Sequence, residues 1–336
     1  MGSQVTAGRG PDTVLVVTEG RGPDTILEGG KMKYLEFSGK SLPASVIGIG
    51  CMRIADMGPQ ELDTFVHTAM DVGITFFDHA DIYGGGKSEE IFGEFLAANP
   101  GVRDKIVIQS KCAIHDGMYD FSKEYILNSV DGILMRLHTD HLDSLLLHRP
   151  DALMEPEEVG EAFDILAEQG KVLHFGVSNM NRYQMELLSS GIRQKLYVNQ
   201  LQMSLAHTPV IDAGINVNTH FDGGVMRDGG TLEYCRMQDV IVQTWSPLQK
   251  GFFGGVFIGD SEYKELNGVL DELADKYSVT SDAIAYAWLL RIPAKMQVIL
   301  GTTNPKRVKN AAKAAEIRLT RQEWYDLYKA AGNTLP

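Results

Sequence analysis

Short apolar runs alternate with amphipathic helical stretches from about residue 46 onward. Several runs are apolar for most of their length, which is typical of strands covered on both faces in a parallel sheet. Eight runs qualify as strands, and each is followed by a helix-forming stretch. The predicted strands are residues 45–50, 74–80, 105–112, 142–148, 172–178, 196–200, 240–246 and 296–300.

Proline and glycine mark the ends of the predicted helices. Pro59 and Pro156 stand at the first turns of two helices, and Gly73 and Gly170 follow their last turns. Eight strand–helix pairs are what a (β/α)8 TIM barrel requires, so we predict an α/β fold with one such domain. A doubly wound sheet is the alternative, but it normally has a glycine fingerprint after its first strand, which residues 48–53 ("GIGCMR") lack.

The first 31 residues differ in character from the rest of the chain. The segment "GRGPDTVL" (8–15) recurs as "GRGPDTIL" (20–27), and the apolar run "VLVV" is too short for a secretory signal. We therefore expect residues 1–31 to be a non-native extension, added by cloning or by translation from an upstream start. The barrel domain would then span residues 32–336, with Met32 as the native start. A natural hairpin or arm is the alternative.

Composition and charge narrow the possible partners. The chain has 336 residues and a formal net charge of −13, which argues against nucleic acid or an anionic membrane as the main partner. The three cysteines are far apart and form no CxxC motif, which favours a reducing cytoplasm over a disulfide framework. No run approaches the roughly 18 apolar residues of a membrane-spanning helix. The oligomeric state is left open.

Two motifs that suggest other chemistry are incomplete. The segment "GGGKS" (84–88) lacks the earlier glycine of a phosphate-binding loop, because position 81 is aspartate. His138 and His141 form an HxxH pair without nearby acids, so we predict no metal site there. A metal-dependent barrel hydrolase would need several ligands at strand ends, and only Asp78 and His148 stand at such positions.

Four residues stand out at or just after the carboxyl ends of predicted strands. Asp78 ends the second strand, Lys111 lies at the end of the third, and His148 ends the fourth, with Tyr83 in the loop after Asp78. In a barrel these ends share one face, where active sites are built. A half-buried carboxylate needs a cationic partner, so we predict an ion pair between Asp78 and Lys111.

This constellation predicts acid catalysis by a phenol. A free tyrosine has a pKa of about 10. A neighbouring lysine cation and a hydrogen bond from histidine both favour the phenolate, so we expect Lys111 and His148 to tune Tyr83. Tyr83 could then act as general acid toward a carbonyl oxygen. That acid is useful when hydride arrives at the carbonyl carbon from a nicotinamide.

The order of motifs resembles the aldo-keto reductase superfamily. The matching segments include "GITFFDHADIYG", "SKC", "LLLHRPD", "GKVLHFGVSN", "WSPL" and residues 301–310, and their wording is similar to the bacterial YdhF-like oxidoreductases. The likeness covers residues 32–336. It implies a barrel that uses NADP(H) without a Rossmann motif and a small-molecule carbonyl substrate. It also implies a catalytic tetrad, formed by Asp78, Tyr83, Lys111 and His148.

The same resemblance implies a cofactor site. Ser178 and Asn179 match residues that hold the nicotinamide carboxamide, Gln200 matches their helper, and Trp245 matches an aromatic ring that stacks on the nicotinamide. The remaining implied cofactor contacts are Met52, Arg53, Asp78, Ser246, Pro247, Leu248, Gly301, Thr302, Asn304, Arg307 and Asn310.

The cofactor preference and the function class follow from these matches. Gly301 stands where other members carry a lysine, so we expect NADP(H) to be preferred only moderately and NAD(H) to be the alternative cofactor. The main hypothesis is a reductase of aldehydes or ketones with Tyr83 as proton donor. A nucleotide-sensing regulatory subunit on the same fold is the alternative, and turnover of any aldehyde separates the two. We expect loops at 113–121, 205–230 and 250–260 to shape the substrate pocket.

Overall fold

The structure is a computed structural model that describes residues 27–29, 32–36, 43–252 and 254–335. The expected N-terminal extension, residues 1–31, lies outside the described residues except for one strand at Leu27–Gly29. The statements below concern the described residues.

Eight parallel strands close into a barrel. Each strand pairs with its neighbours in sequence, and the eighth pairs with the first, which confirms the predicted (β/α)8 barrel. Most strand residues are buried, because the barrel interior covers one face and the helices cover the other. The strands are β1 (Ile47–Gly50), β2 (Phe76–Asp78), β3 (Val107–Cys112), β4 (Leu142–Leu147), β5 (Val172–Ser178), β6 (Leu196–Gln202), β7 (Ile241–Trp245) and β8 (Met296–Leu300).

Helices follow the strands and pack their apolar sides on the barrel. Pro59 and Pro156 begin two of them, as predicted, since the missing proline N–H has no helical partner at that position. The helices are α1 (Pro59–Asp71), α2 (Lys87–Ala98), α3 (Lys123–Arg136), α4 (Pro156–Glu168), α5 (Arg182–Gly191), α6 (Pro209–Ile215), α7 (Thr231–Met237), α8 (Lys264–Tyr277), α9 (Ser281–Leu290), α10 (Pro305–Ala312) and α11 (Arg321–Ala330). Short 3-10 turns lie at Cys51–Arg53, Tyr83–Gly86, Arg103–Lys105, Asp222–Gly224, Ser261–Tyr263 and Lys313–Glu316.

A small antiparallel sheet lies at the amino end of the barrel strands. Its strands are Leu27–Gly29, Met32–Leu35 and Ala44–Ser45, and the last of these leads directly into β1. The side chain of Gln297, from β8, donates a 2.7 Å hydrogen bond to the Ser45 carbonyl. The sheet therefore covers the end of the barrel that is opposite the predicted site.

The carboxyl ends of the strands bring the predicted residues to one face. Asp78 at the end of β2 is in register with Gly50 of β1 and with Gln109 of β3. A two-stranded hairpin, Ile114–His115 with Met118–Tyr119, follows β3 on the same side. The loops on this face determine what can reach Asp78.

Candidate active site

Asp78 and Lys111 form a buried ion pair between β2 and β3, as the sequence predicts. The lysine Nζ lies 2.8 Å from Oδ1 and 2.9 Å from Oδ2 of the carboxylate. Lys111 is fully buried and Asp78 is 2% exposed. Burial by itself lowers the pKa of Lys111, but the negative charge of Asp78 and the contact with Tyr83 raise it above its usual value. Lys111 is therefore an ammonium at neutral pH.

The three hydrogens of that ammonium all have acceptors. Lys111 Nζ donates to the Asp78 carboxylate, to the His79 carbonyl at 2.7 Å and to the Tyr83 hydroxyl at 3.1 Å. An ammonium has no lone pair, so the Tyr83 oxygen must be the acceptor. The hydroxyl proton of Tyr83 then points away from Lys111. The Tyr83 hydroxyl is therefore a proton donor that faces away from Lys111.

The pKa of Tyr83 differs from the sequence-based expectation. Burial raises it above the usual value, and the nearby charge of Lys111 lowers it only in part. The expected net lowering is therefore wrong for this site, because desolvation of a buried phenolate outweighs one cation that is already neutralised by Asp78. Tyr83 carries its proton at neutral pH, which is the form that a general acid needs.

His148 stands directly after β4 and faces the same space. Its ring meets the Tyr83 ring edge-on, with 6.0 Å between the ring centroids and 81° between the planes. Within the described residues no hydrogen bond joins the two side chains, so the expected direct hydrogen bond is absent. Burial, followed by the charges of Lys111 and Arg149, lowers the pKa of His148 well below its usual value. The imidazole is therefore neutral and can hydrogen-bond an oxygen placed between it and Tyr83.

A chain of buried glutamines supports Asp78 from below. Gln109 Nε2 donates to Asp78 Oδ1 at 2.7 Å and to Gln243 Oε1 at 2.8 Å. Gln243 donates in turn to Gln297 at 2.9 Å, and Gln297 donates to the carbonyl of Ser45. The sequence pattern did not single out these residues. Their signal was a glutamine within each of three predicted barrel strands, because a buried amide needs partners.

A second hydrogen-bonded group lies at the ends of β5, β6 and β7. Asn179 Nδ2 donates to Ser178 Oγ at 2.7 Å, and Ser178 Oγ donates to the Gln200 carbonyl at 3.0 Å. The indole Nε1 of Trp245 donates to Asn179 Oδ1 at 3.3 Å. Gln200 uses its own amide on Asp78 Oδ1, at 3.2 Å, and on Gln243. The residues implied for the nicotinamide end are therefore contiguous with the tetrad.

The predicted residues described above, except Lys111, border one cavity of about 1190 Å³. Lys111 lies behind Tyr83 and is enclosed in the barrel. Every residue implied as a cofactor contact reaches this cavity. The predicted residues that line it are Met52, Arg53, Asp78, Tyr83, His148, Ser178, Asn179, Gln200, Trp245, Ser246, Pro247, Leu248, Gly301, Thr302, Asn304, Arg307 and Asn310.

Two arginines line the cavity near the end of β8. Asn304 caps α10 by accepting hydrogen bonds from the backbone N–H groups of Lys306 and Arg307, and the Arg307 side chain is exposed beside the cavity. Arg53 Nη1 donates to the Gly301 carbonyl at 3.0 Å, and a Cβ atom on Gly301 would lie 3.8 Å from it. Arg53 thus supplies a cation beside Gly301, the position where the resemblance led us to expect a missing lysine.

Several lining residues were not predicted. One of them is Arg149, which the sequence could have suggested because it directly follows His148. Three acids also line the cavity, on the wall formed by α8 and α9. These acids are Asp271, Asp275 and Asp282.

Two of the three expected loops reach the cavity. Ile114 of the loop 113–121 lines it, and so do Phe252, Val256 and Ile258 of the loop 250–260. No residue of 205–230 lines it, so that expectation is wrong. Part of this segment instead borders a separate cavity of about 540 Å³ with residues from the C-terminal part of the chain, including Tyr328.

The described ranges contain no group of three or more His, Cys, Asp or Glu side chains that could hold a metal ion. In those same ranges, no helix is both long and apolar enough to cross a membrane.

Comparison with known proteins identifies the class. The model of the aldo/keto reductase family matches residues 46–331. The chain is 37% identical to the 6-dehydroglucose reductase of Agrobacterium fabrum over 303 residues, which cover 86% of this chain and 95% of that protein. It is 36% identical to the oxidoreductase YdhF of Escherichia coli K12, with 84% and 92% covered.

Solved structures agree with this match. The thermostable aldo-keto reductase Tm1743, solved with the inhibitor epalrestat, superposes with a TM-score of 0.71 at 25% identity and covers 88% of this chain and 99% of its own. An aldo-keto reductase from Klebsiella pneumoniae, solved with NADPH, shares the fold with a TM-score of 0.69 at 24% identity, covering 87% and 92%.

The chain belongs to the aldo/keto reductase family. It is an NAD(P)H-dependent oxidoreductase, and the predicted resemblance is confirmed. The alternative of a nucleotide-sensing regulatory subunit is not favoured, since these two relatives are named as a reductase and an oxidoreductase.

Proposed function

We propose that the protein reduces an aldehyde or ketone with NADPH, and that Tyr83 gives the proton to the carbonyl oxygen. The observation that carries this proposal is the hydrogen bond from Lys111 to the Tyr83 oxygen. It leaves the phenolic proton free to be donated elsewhere, and His148 stands edge-on to the same ring. A carbonyl oxygen between the phenol and the imidazole would receive a hydrogen bond from each.

The residues around the cavity fit a nicotinamide dinucleotide. Ser178 and Asn179 offer a hydroxyl and an amide close to the tetrad, where a carboxamide needs both donors and acceptors. Trp245 offers a flat ring whose edge is held by Asn179. Arg53 and Arg307 offer cations near the end of β8, and the phosphates of a dinucleotide need such partners. When bound, the cofactor supplies the hydride that adds to the carbonyl carbon.

Each member of the tetrad then has a distinct task. His148, neutral because it is buried, orients the carbonyl oxygen. Tyr83 transfers its proton to that oxygen as negative charge develops there. Lys111 stabilises the phenolate that remains, since its ammonium already donates to the phenol oxygen. Asp78 holds Lys111 in place, and Gln109 holds Asp78.

We infer that NADPH is preferred over NADH. A protein with a net charge of −13 repels a 2′-phosphate unless cations stand beside it. Arg307 can hold a phosphate through two parallel hydrogen bonds, and Arg53 adds a second guanidinium nearby.

The decisive experiment is a carbonyl panel followed by loss of NADPH absorbance. The panel includes aromatic and aliphatic aldehydes, ketones and a 6-oxo hexose, since the Agrobacterium relative is named for 6-dehydroglucose. Tyr83→Phe should lower kcat by at least about 100-fold, the scale that general acid catalysis contributes. NADPH affinity should stay unchanged.

Tyr183→Phe is the matched control, because Tyr183 is an exposed tyrosine on α5 that does not line the cavity. It should retain full activity. Near-normal turnover by Tyr83→Phe, or no turnover of any carbonyl by the wild-type protein, would contradict the proposal.

We further propose a cytoplasmic location and no nucleic-acid partner. Cys51, Cys112 and Cys235 are buried free thiols, which a reducing compartment preserves. The net charge of −13 opposes binding to phosphate backbones. Cell fractionation, and a DNA gel-shift at low salt, would test the two statements.

A further inference from the structure

Arg149 brings a positive charge to the catalytic end of the cavity. It follows His148 immediately, so the fourth barrel strand carries it to the same face as the tetrad, and it lines the cavity. Its side chain is partly buried. Asp78 neutralises Lys111 and the imidazole of His148 is neutral. Arg149 therefore leaves this end of the cavity with an excess of positive charge in a strongly acidic protein.

Three other buried or partly buried cations of the barrel each have a carboxylate partner. Lys111 pairs with Asp78 at 2.8 Å. Arg103 pairs with Asp143 at 2.9 Å and Arg136 pairs with Glu89 at 2.8 Å. Arg149 has no such partner within the described residues, and its guanidinium N–H groups form no hydrogen bond there. A partly buried cation without an acceptor is costly unless something else supplies one.

An aromatic ring holds the guanidinium in position. The Arg149 guanidinium carbon lies 5.3 Å from the centre of the Trp245 ring, within the range of a cation–π contact. Hydrogen bonding to Asn179 fixes Trp245 in turn. Burial lowers the pKa of Arg149, and no carboxylate is among the groups that oppose this shift. The contact orients the guanidinium and leaves its donors available to a ligand.

We propose that Arg149 forms an anion subsite next to the reacting carbonyl, so that the preferred substrates are aldehydes or ketones that carry a carboxylate or phosphate a short chain away. The planar guanidinium can bind either group through two parallel hydrogen bonds. Arg149 directly follows His148 at the end of β4, whereas Arg53 and Arg307 lie near the end of β8, on the opposite side of the barrel. The anion would therefore lie on the His148 side of the cavity. This inference deepens the proposed carbonyl reduction and rests on it.

Two pairs of substrates separate charge from shape. Succinic semialdehyde against butanal tests a carboxylate, and glyceraldehyde 3-phosphate against glyceraldehyde tests a phosphate. We expect the wild-type kcat/KM to be higher for the anionic member of at least one pair. Arg149→Gln should lower kcat/KM for that member by about 10- to 100-fold, mainly through KM, as expected when a hydrogen bond to a charged group is lost. The neutral members should change by less than about threefold.

Two further variants control for structure. Arg149→Lys keeps the charge without the planar fork, so it should recover only part of the preference. Arg182→Gln removes another guanidinium that lies over an aromatic ring, 4.9 Å from the centre of Tyr183, outside the cavity. It should leave both substrate pairs unchanged. NADPH affinity and the melting temperature of each variant show whether Arg149→Gln has disturbed the fold or the cofactor site.

A binding measurement makes the subsite testable without turnover. With NADPH present, which cannot accept a hydride from an alcohol, calorimetry should detect 4-hydroxybutanoate and not butan-1-ol, and Arg149→Gln should abolish the difference. Butanal turnover without discrimination between the paired substrates would overturn the anion subsite and leave the reductase intact. Equal losses for anionic and neutral substrates in Arg149→Gln would also overturn it. Turnover of no carbonyl at all would instead refute the proposed function, and calorimetry would still decide for or against the subsite.

Discussion

The ammonium of Lys111 donates a hydrogen bond to the hydroxyl oxygen of Tyr83 across 3.1 Å. Because the same ammonium is held by Asp78 and by the His79 carbonyl, its direction is fixed by the barrel and not by the loop that carries Tyr83. The phenol is thus oriented by a rigid partner. Four predictions follow from this site and the cavity above it.

Replacing Lys111 by methionine should destabilise the protein by about 3–5 kcal/mol, since Asp78 would remain buried without its cation. Activity should also fall, because the phenolate of Tyr83 would lose its stabilising donor. Denaturant unfolding and kcat measure the two effects. The double variant Asp78→Asn with Lys111→Met should recover stability without recovering activity. Strictly additive losses of stability in the double variant would show that the pair is not coupled.

Asp81, between Asp78 and Tyr83 in sequence, should make stability depend on pH. Burial, followed by the charge of Glu89, raises the pKa of Asp81 to about 7, although Arg136 and Lys111 oppose the shift. In an unfolded chain, the pKa of an aspartate is about 3.9. Between these values the folded state binds more protons, so the contribution of Asp81 to stability is present at low pH and is lost as pH rises to about 7.

Asp81→Asn should therefore gain stability relative to wild type as pH rises from 4 to 8, when urea unfolding is compared at several pH values. Asp104→Asn, a change at an exposed residue, is the control for loss of one surface charge. A difference between Asp81→Asn and wild type that stays constant with pH would rule out the assignment.

Trp245 should report cofactor binding by fluorescence. The other two tryptophans, Trp288 and Trp324, stack on each other with 4.8 Å between centroids and do not line the cavity. Adding NADPH should quench the wild type, and Trp245→Ala should lose the quench and bind more weakly by about 1–3 kcal/mol, the scale of aromatic stacking on a base. Trp324→Phe should keep the quench. Quenching that survives in Trp245→Ala would locate the nicotinamide elsewhere.

Arg307 should discriminate between the two nicotinamide cofactors. Arg307→Ala should weaken NADPH binding by about 1.5–3 kcal/mol, the range for hydrogen bonds to charged groups. NADH binding should barely change, because NADH lacks the 2′-phosphate. Titration of both cofactors at fixed salt measures the effect, with Lys309→Ala as a control on the same helix. Equal losses for the two cofactors would mean that Arg307 does not bind that phosphate.

Much of the fold and the tetrad could be predicted from the sequence, because both depend on local patterns. Apolar runs, helix-capping prolines and glycines specify strands and helices within a few residues. Once the barrel is known, parallel strands bring their carboxyl ends to one face whatever the loops do. Asp78, Lys111 and His148 stand at such ends, so their proximity required no knowledge of side-chain packing.

The tertiary structure decided what depends on distant side chains and on burial. Gln109 supports Asp78 through a network that joins four strands, Arg53 bonds to Gly301 after the neighbouring strand β8, and Arg149 lies over the ring of Trp245. No periodicity within one segment encodes these meetings. The sign of the Tyr83 pKa shift was also decided there, because desolvation depends on everything packed around the phenol. Local pattern determined which residues share the face, and three-dimensional packing determined their charge states and partners.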